Sequence, residues 1–200
     1  QIGAGGLQMS SNSVVNGSVY VNGGITGSSN SVIYGDAYAG GAISAPSPYV
    51  SGAKHPGAEL QPLPPIDLEY WRLAANKNND PITGNYTINS GSQSFGPRKI
   101  TGNLKIGGSA NITLIGPLYV QGNFEMDNNA NLYLSDSFGS LGTVIIVDGS
   151  AKIKSNIVIH PTNSNPKGYI LILSAKSGGG AIELSSNSKS GLIYATDGEV

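Results

Sequence analysis

The sequence lacks cysteine and contains little charge. Its 200 residues include 11 lysines and arginines and 12 aspartates and glutamates, so charged residues make up 12% of the chain and the formal net charge is −1. Without cysteine there are no disulfides, and the redox compartment cannot be read from thiols. A net charge this close to zero argues against strong binding to nucleic acid or to an acidic lipid surface.

Long apolar runs are missing as well. No stretch reaches the roughly 18 apolar residues of a membrane span, and no signal peptide is visible at the start of the sequence. Because Val200 falls in the middle of a repeat unit, we interpret the sequence as a fragment and expect any targeting segment to lie outside it.

Glycine, in contrast, is abundant, with 29 residues, and it recurs at regular intervals. The stretch Ser11–Ile25 is followed by a matching stretch, Ser29–Ile43, in which each position returns 18 residues later. Short β-branched runs that repeat with a period near 20 and have glycine or asparagine at their corners are typical of a solenoid. Three strands of about six residues per coil account for this spacing.

The same pattern returns in the second half of the chain. Its copies lie at Gly84–Ile88, Gly102–Ile106 and Gly122–Met126, with weaker ones at Gly149–Ile153, Gly180–Leu184 and Gly198–Val200. The successive steps are 18, 20, 27, 31 and 18 residues. Regular strands with loops of variable length are tolerated in solenoids, and unequal coils favour a right-handed form.

The sequence therefore predicts an all-β fold, a single-stranded parallel β-helix that is right-handed, with about 18–20 residues per coil and one short α-helix. We expect the first coils in residues 1–44, with Gln1–Ser10 as an entry strand or a cap. A proline-rich excursion should occupy 45–82, and the remaining coils 83–200. One continuous domain is favoured, with the helix as an excursion from the rod.

Within the excursion, Ala45–Leu63 is rich in proline, which removes ladder donors, so we expect no strand there. The helix is predicted at about residues 67–76, with Asp67 as N-cap after two prolines. Leu68, Trp71 and Ala75 share one helix face at spacings of three and four. We expect that face to cover part of the solenoid or its open end.

Two apolar runs, Val144–Val147 and Tyr169–Leu173, predict strands that are buried on both faces. A loop or the helix should cover their outer side. Between them, Pro161–Gly168 is predicted to be a long protruding turn.

The order of the motifs is similar to the β-solenoid regions of bacterial pilus-assembly or minor-pilin-like surface proteins. The motifs that carry this resemblance lie at Val15–Ile25, Gly35–Gly41, Pro64–Ala75, Gly102–Ile112, Gly116–Asn123, Gly142–Gly149, Tyr169–Ser174 and Gly191–Ala195. The first two coils also resemble bactofilins, which are polymer-forming cytoskeletal β-helices. The pilin-type apolar helix typical of the first family is not present.

The resemblance implies a non-enzymatic structural or adhesive module at the bacterial cell surface, in which a rigid rod serves surface or partner recognition. Its partners would be other pilus or cell-envelope proteins, and surface glycans or DNA. Two alternatives remain open: a carbohydrate-active β-helix enzyme, either a lyase or a hydrolase, and a bactofilin-like unit that self-associates end to end.

The sequence offers no convincing catalytic, cofactor or metal site. The carboxylates are scattered, whereas glycoside hydrolysis needs a pair that flanks one bond. Glu125 and Lys105 fall at equivalent positions of adjacent coils and predict a surface ion pair. His55 and His160 are expected in solvent-exposed loops, and no cysteine is available to complete a zinc site.

The remaining candidate segments have structural interpretations. Asp127–Asn131 has oxygen ligands at alternating spacing, but it lacks the glycine and the final glutamate of an EF-hand, so an asparagine-rich corner is favoured. Gly178–Gly180 opens no helix and precedes no Lys-Ser/Thr, which excludes a P-loop. Tyr20 and Tyr38 occupy one repeat position and predict an aromatic stack that joins adjacent coils. We therefore predict no catalytic residues, no cofactor and no metal.

Overall fold

The computed structural model describes residues 2, 5–60, 66–127, 129–154, 156–185, 188 and 191–198. The chain is a parallel β-helix, in which short strands from successive coils pair in register. This confirms the predicted fold class, while the handedness stays a prediction.

The second half of the chain forms three sheets. The charged face consists of β9 (Tyr86–Ile88), β12 (Leu104–Ile106), β15 (Phe124–Met126), β18 (Ala151–Ile153) and β21 (Ile182–Leu184). The loop face consists of β10 (Ser92–Phe95), β13 (Asn111–Leu114), β16 (Asn131–Leu134) and β19 (Val158–His160). The helix face consists of β11 (Arg98–Ile100), β14 (Leu118–Val120), β17 (Thr143–Val147), β20 (Ile170–Gly178) and β22 (Leu192–Gly198).

The first half forms three smaller parallel sheets. They consist of β1 (Leu7–Met9) with β4 (Ile25–Gly27), of β2 (Val14–Asn16), β5 (Val32–Tyr34) and β7 (Tyr49–Val50), and of β3 (Val19–Val21), β6 (Ala37–Ala39) and β8 (Lys54–Pro56). Ile2 pairs with Val21, and the apolar residues of the segment Gln1–Ser10, namely Ile2, Leu7 and Met9, are all buried. Of the two possibilities for this segment, an entry strand or a cap, the structure has a strand, β1.

Alternation within each three-residue strand explains the core. Leu104 and Ile106 point inward and are buried, while Lys105 between them points outward. The next coil repeats the arrangement, with Leu104 beside Phe124 and Ile106 beside Met126. Columns of aliphatic side chains therefore fill the interior, as the side-chain period of two requires.

The recurring Gly-Asn dipeptide has a direct structural cause. The side-chain oxygen of Asn85 accepts the backbone N–H of Asn103 at 2.9 Å, and that of Asn103 accepts the N–H of Asn123 at 2.7 Å. Asn123 in turn accepts the N–H of Ser150 at 2.9 Å. Each asparagine thus satisfies a corner N–H of the following coil, which would otherwise lack a partner.

The expectation that Ala45–Leu63 contains no strand is wrong, because β7 and β8 lie there and extend the first group of coils. β7 pairs with β5, and β8 pairs with β6. Pro56 is tolerated because β8 is the outer strand of its sheet, where one ladder donor is not needed.

The predicted helix is confirmed as α1, Leu68–Ala75, and the side chain of Asp67 accepts the N–H of Tyr70 as an N-cap. The residues Leu68, Trp71 and Ala75 pack against Val144, Ile146 and Leu173 on the outside of the helix face. Val144 and Ile146, the outward residues of β17, are buried as a result. The helix is the cover that the apolar run Val144–Val147 predicted. For the run Tyr169–Leu173, burial on both faces is wrong in part, because Tyr169 is exposed and Leu171 is half-buried.

The coils are not arranged along the rod in the order in which they occur in the sequence. Gln8 and Ser10, at the start of the chain, line one cleft together with Ile182–Ser185, near its end. Buried side chains of both groups belong to a single core. The first coil therefore lies against the last, while α1 contacts β14 and β17 in the middle of the second group. Among the described residues, no strand pairing joins the two groups.

Candidate functional site

A cleft on the loop face has the most varied chemistry among the described surface features. It has a volume of about 410 Å³ and lies where β16 and β19 end and two loops project. One loop contains a 3₁₀ helix, Asp136–Phe138, and the other is the turn predicted at Pro161–Gly168. The lining residues are Thr113, Tyr133, Leu134, Ser135, Asp136, His160, Pro161, Thr162, Asn163 and Lys167.

Two stacked rings form the wall of the cleft. Tyr133 and His160 occupy the same position of adjacent coils, and their ring centroids are 4.3 Å apart with planes inclined by 9°. The coil on the other side of Tyr133 places Thr113 at this position. Because a threonine side chain is much smaller than a ring and Thr113 lines the cleft with Tyr133, we infer that a ligand in the cleft can reach the face of Tyr133 that points away from His160.

Hydrogen bonds fix the two loops to each other. The carboxylate of Asp136 accepts the backbone N–H of Asn163 at 2.8 Å and its side-chain amide at 2.9 Å. The hydroxyl of Thr162 donates to the carbonyl of Gly139 at 2.7 Å and accepts the N–H of Gly168 at 2.8 Å. The cleft is therefore preorganised, which reduces the entropy lost when a ligand binds.

The titratable groups of the cleft have distinct environments. Burial lowers the pKa of His160, so that the imidazole is neutral at pH 7 and the stacked pair carries no charge. The two hydrogen bonds from Asn163 lower the pKa of Asp136, which keeps this carboxylate ionised. Asp136 is the one carboxylate among the lining residues, all of which the structure describes, and Lys167 supplies a cation.

This arrangement is suited to a ligand with both an apolar face and hydroxyl groups. The open ring face of Tyr133 carries partial negative charge and attracts the positively polarised C–H groups of a sugar ring. Asp136 accepts hydrogen bonds, and the amide, hydroxyl and ammonium groups along the loops donate them.

The candidate residues identified in the sequence are distributed over both groups of coils. Lys105 and Glu125 form the predicted ion pair at 2.9 Å, and Lys105 also binds Asp127 at 2.7 Å. Asp127 thus pairs with a lysine, and Asn129 has a φ of 63°, as expected for an asparagine corner. Lys154 extends the cluster by binding Glu125 at 3.0 Å.

The predicted aromatic stack is also present. Tyr20 and Tyr38 lie 4.3 Å apart, and His55 continues the stack at 4.4 Å from Tyr38. The expectation that both histidines lie in solvent-exposed loops is wrong, because His55 belongs to β8, and His160 belongs to β19 and is partly buried. The segment Gly178–Gly180 is held by Lys176, whose ammonium donates to the carbonyls of Gly179 and Gly180.

Sequence reasoning missed Tyr133, Asp136 and Lys167 as parts of one site. Tyr133 lies in a strand copy, where a ring is expected to be structural, and the other two lie in loops of irregular length. One signal was available in the sequence. Paired residues of β16 and β19 are 27 positions apart, whereas those of β13 and β16 are 20 apart, so the longer step indicates an insertion after Tyr133.

Metal sites, membrane-spanning helices and similarity to known proteins were the remaining sources of a functional assignment. The described residues include no group of three or more His, Asp or Glu side chains placed to hold a metal ion. Within the same ranges, no helix is long and apolar enough to cross a membrane. No protein-family model, curated protein or solved structure matches this chain.

Proposed function

We propose that this chain is a non-enzymatic structural and adhesive module of a bacterial cell-surface or pilus-associated protein, and that it recognises a saccharide through the cleft beside Tyr133. The rod supplies rigidity because every coil is fixed by its neighbours. The cleft supplies recognition through one exposed ring face and the polar groups of two fixed loops.

The single observation that carries the saccharide proposal is that Tyr133 lines the cleft and has Thr113, not a ring, at its position in the preceding coil. In another aromatic stack, which does not line the cleft, Tyr38 has a ring on each side, Tyr20 and His55. A ring stacked on both faces contributes to stability but offers no face to a ligand. Tyr133 is stacked on one side by His160 and lines the cleft together with Thr113.

A binding role is favoured over hydrolysis because of the acid count in the cleft. Retaining and inverting glycosidases use two carboxylates that flank the scissile bond. Asp136 is the one carboxylate of the lining, and its oxygens already accept two hydrogen bonds from Asn163. A lowered pKa also makes Asp136 a poor general acid near pH 7.

The test is a glycan array and a DNA-binding screen of the 200-residue chain, with polysaccharide degradation assayed in the same wells. We expect saccharide binding without turnover, and no DNA binding at physiological salt. A Tyr133→Ala variant should lose the array signal, while Tyr20→Ala, which alters a stacked tyrosine outside the cleft, should keep it.

Each other outcome contradicts part of the proposal. Degradation of a polysaccharide would favour the alternative that the chain is a carbohydrate-active β-helix enzyme. If Tyr133→Ala keeps the array signal, the saccharide does not bind in the cleft beside Tyr133. Absence of any saccharide signal would reduce the chain to a structural rod.

A further inference from the structure

A second cleft, which we call the seam, lies on the charged face between β21 and β1. Its volume is about 360 Å³, and it is lined by Gln8, Ser10, Gly180 and Ile182–Ser185. In the described part of the chain, β21 pairs only with β18 and β1 pairs only with β4. The two strands that border the seam therefore each have one unpaired edge toward it.

The ladder hydrogen bonds identify the peptide groups that face the seam. On either side of β21, the carbonyl of Ala181 accepts the N–H of Ala151, and the N–H of Ser185 donates to the carbonyl of Ile153, both residues of β18. Because alternate residues of a parallel strand bond to opposite neighbours, the peptide groups of Ile182 and Leu184 point away from β18, toward the seam.

The same reasoning applies to the other border. The N–H of Leu7 and the carbonyl of Met9 bond to β4, which leaves the peptide groups of Gln8 directed toward the seam. Two rows of backbone donors and acceptors therefore face one space. Direct pairing of β1 with β21 would satisfy them, and no such bond is formed among the described residues.

We propose that the seam accepts one extended segment of a partner protein with the pattern apolar–Lys–apolar, which would add a parallel strand between β21 and β1. Strand addition to an exposed sheet edge is a general mode of peptide recognition, in which main-chain hydrogen bonds supply affinity and alternate side chains supply specificity. This site is separate from the cleft beside Tyr133, so the inference stands independently of the proposed function.

The core columns set the apolar positions of the incoming segment. One column contains Leu104, Phe124, Ala151 and Ile182, and the other contains Ile106, Met126, Ile153 and Leu184. Leu7 and Met9 lie inward on the far side of the seam. An inserted strand therefore requires apolar side chains at its two inward positions.

The charged face sets the residue between them. Outward side chains alternate in sign along consecutive strands, in the order Lys105, Glu125, Lys152 and Glu183. On the side toward β18, Glu183 forms an ion pair with Lys152 at 3.0 Å. On the opposite side, Glu183 lines the seam. A lysine on the inserted strand would continue the alternation beside Glu183, since opposite charges on adjacent strands attract.

The strand β12 of this chain has the required pattern, which supplies a probe. An unlabelled peptide with the sequence of Thr101–Gly108, Thr-Gly-Asn-Leu-Lys-Ile-Gly-Gly, is titrated to millimolar concentration into the 15N-labelled 200-residue chain. We expect the amide signals of Gln8, Ile182 and Leu184 to shift, and their hydrogen exchange to slow. A peptide in which serines replace the leucine and the isoleucine should not produce these changes.

Charge reversal tests whether the central lysine of the inserted segment lies beside Glu183. A peptide with glutamate in place of its lysine should bind about two- to fivefold more weakly, the effect of one cross-strand charge pair. The Glu183→Lys variant should reverse this preference, while Glu69→Lys, the same charge change on α1, should keep it. Unchanged amides at Gln8, Ile182 and Leu184, or equal binding of the serine peptide, would overturn the proposal. A preference that Glu183→Lys leaves unaltered would overturn the assignment of the lysine.

Discussion

The phenol ring of Tyr133 lies face to face with the imidazole of His160, and the two ring centroids are 4.3 Å apart. The side-chain oxygen of Asn131 lies 3.4 Å from Nε2 of the same imidazole. This stack joins β16 to β19 and forms one wall of the cleft. Because burial lowers the pKa of His160, the pair is neutral at physiological pH, and the wall stays apolar where a ligand would contact it.

The first prediction concerns the protonation of His160. Its midpoint in a proton NMR titration should lie below the ordinary histidine value of about 6.5. A lowered folded pKa means that the unfolded chain binds the proton more readily, so the contribution to stability is complete above about pH 6.5 and is lost as the pH falls toward the folded pKa. The variant His160→Gln should weaken this dependence. A midpoint above 6.5 would contradict the burial argument.

The second prediction concerns acid stability. Hydrogen bonds from Lys105 lower the pKa of Glu125 and of Asp127. Since both folded pKa values are depressed, the stabilisation is complete above the ordinary pKa of about 4 and is lost as the pH falls through the folded values. Urea midpoints should therefore fall more between pH 5 and pH 2 for the wild type than for Lys105→Met.

Lys77→Met serves as the control for that comparison, because Lys77 is exposed at the end of α1. Its urea midpoints should follow the wild type at each pH. An identical acid response of all three proteins would show that the lysine cluster does not stabilise the ionised carboxylates.

The third prediction concerns the anchoring of α1. Asp148 accepts a hydrogen bond from Arg72 at 2.6 Å and one from the Tyr119 hydroxyl at 2.6 Å. Its side chain is 30% exposed, whereas that of Asp80, which pairs with Arg98, is 72% exposed. Asp148→Ala should lower the free energy of unfolding by about 1–3 kcal/mol, because it leaves two partly buried donors unpaired.

Asp80→Ala should cost less than about 1 kcal/mol, as exposed ion pairs do. Both variants are compared by urea denaturation, with the fluorescence of Trp71 reporting release of the helix. Equal losses for the two aspartates would contradict the anchoring role of Asp148.

The fourth prediction concerns the spacing of the coils. A Cβ added at Gly102 would lie 2.5 Å from the carbonyl carbon of Gly84 and 2.7 Å from the nitrogen of Asn85 in the preceding coil. Because these are backbone atoms held by the ladder, Gly102→Ala should destabilise the fold by about 1–3 kcal/mol. Thermal denaturation followed by circular dichroism measures this loss.

Gly91 supplies the contrast. It has a φ of 83°, and an added Cβ would meet no atom within 4 Å. Asparagine tolerates this left-handed backbone, so Gly91→Asn should cost less than about 1 kcal/mol. A larger loss for Gly91→Asn than for Gly102→Ala would contradict the packing account.

The repeat made the fold predictable, because strand pairing follows directly from a fixed period. Leu104, Phe124 and Ala151 align in the structure as their Gly-x-apolar-x-apolar copies do in the sequence. The helix was predictable for a similar reason, since Asp67 and the spacing of Leu68, Trp71 and Ala75 are local signals. Proline obscured β7 and β8, because at an outer strand its missing N–H removes no ladder bond.

The cleft was not predictable, because its residues come together through loops rather than through the repeat. Asp136 and Asn163 are joined by hydrogen bonds across two insertions whose paths no period determines. The position of Gln8 across a cleft from the coil of Ile182 was hidden for a different reason. Every coil has similar edges, so the sequence does not specify which two coils meet.

The central claim is that the open ring face of Tyr133 binds a saccharide. Its most direct measurement is isothermal titration calorimetry with the saccharide selected on the array, for the wild type and for Tyr133→Phe, Tyr133→Ala and Tyr20→Ala. Tyr133→Phe and Tyr20→Ala should bind like the wild type, while Tyr133→Ala should bind about fivefold or more weakly, the loss of about 1 kcal/mol of aromatic contact. Equal affinities of Tyr133→Ala and the wild type, with the fold intact by circular dichroism, would contradict the claim.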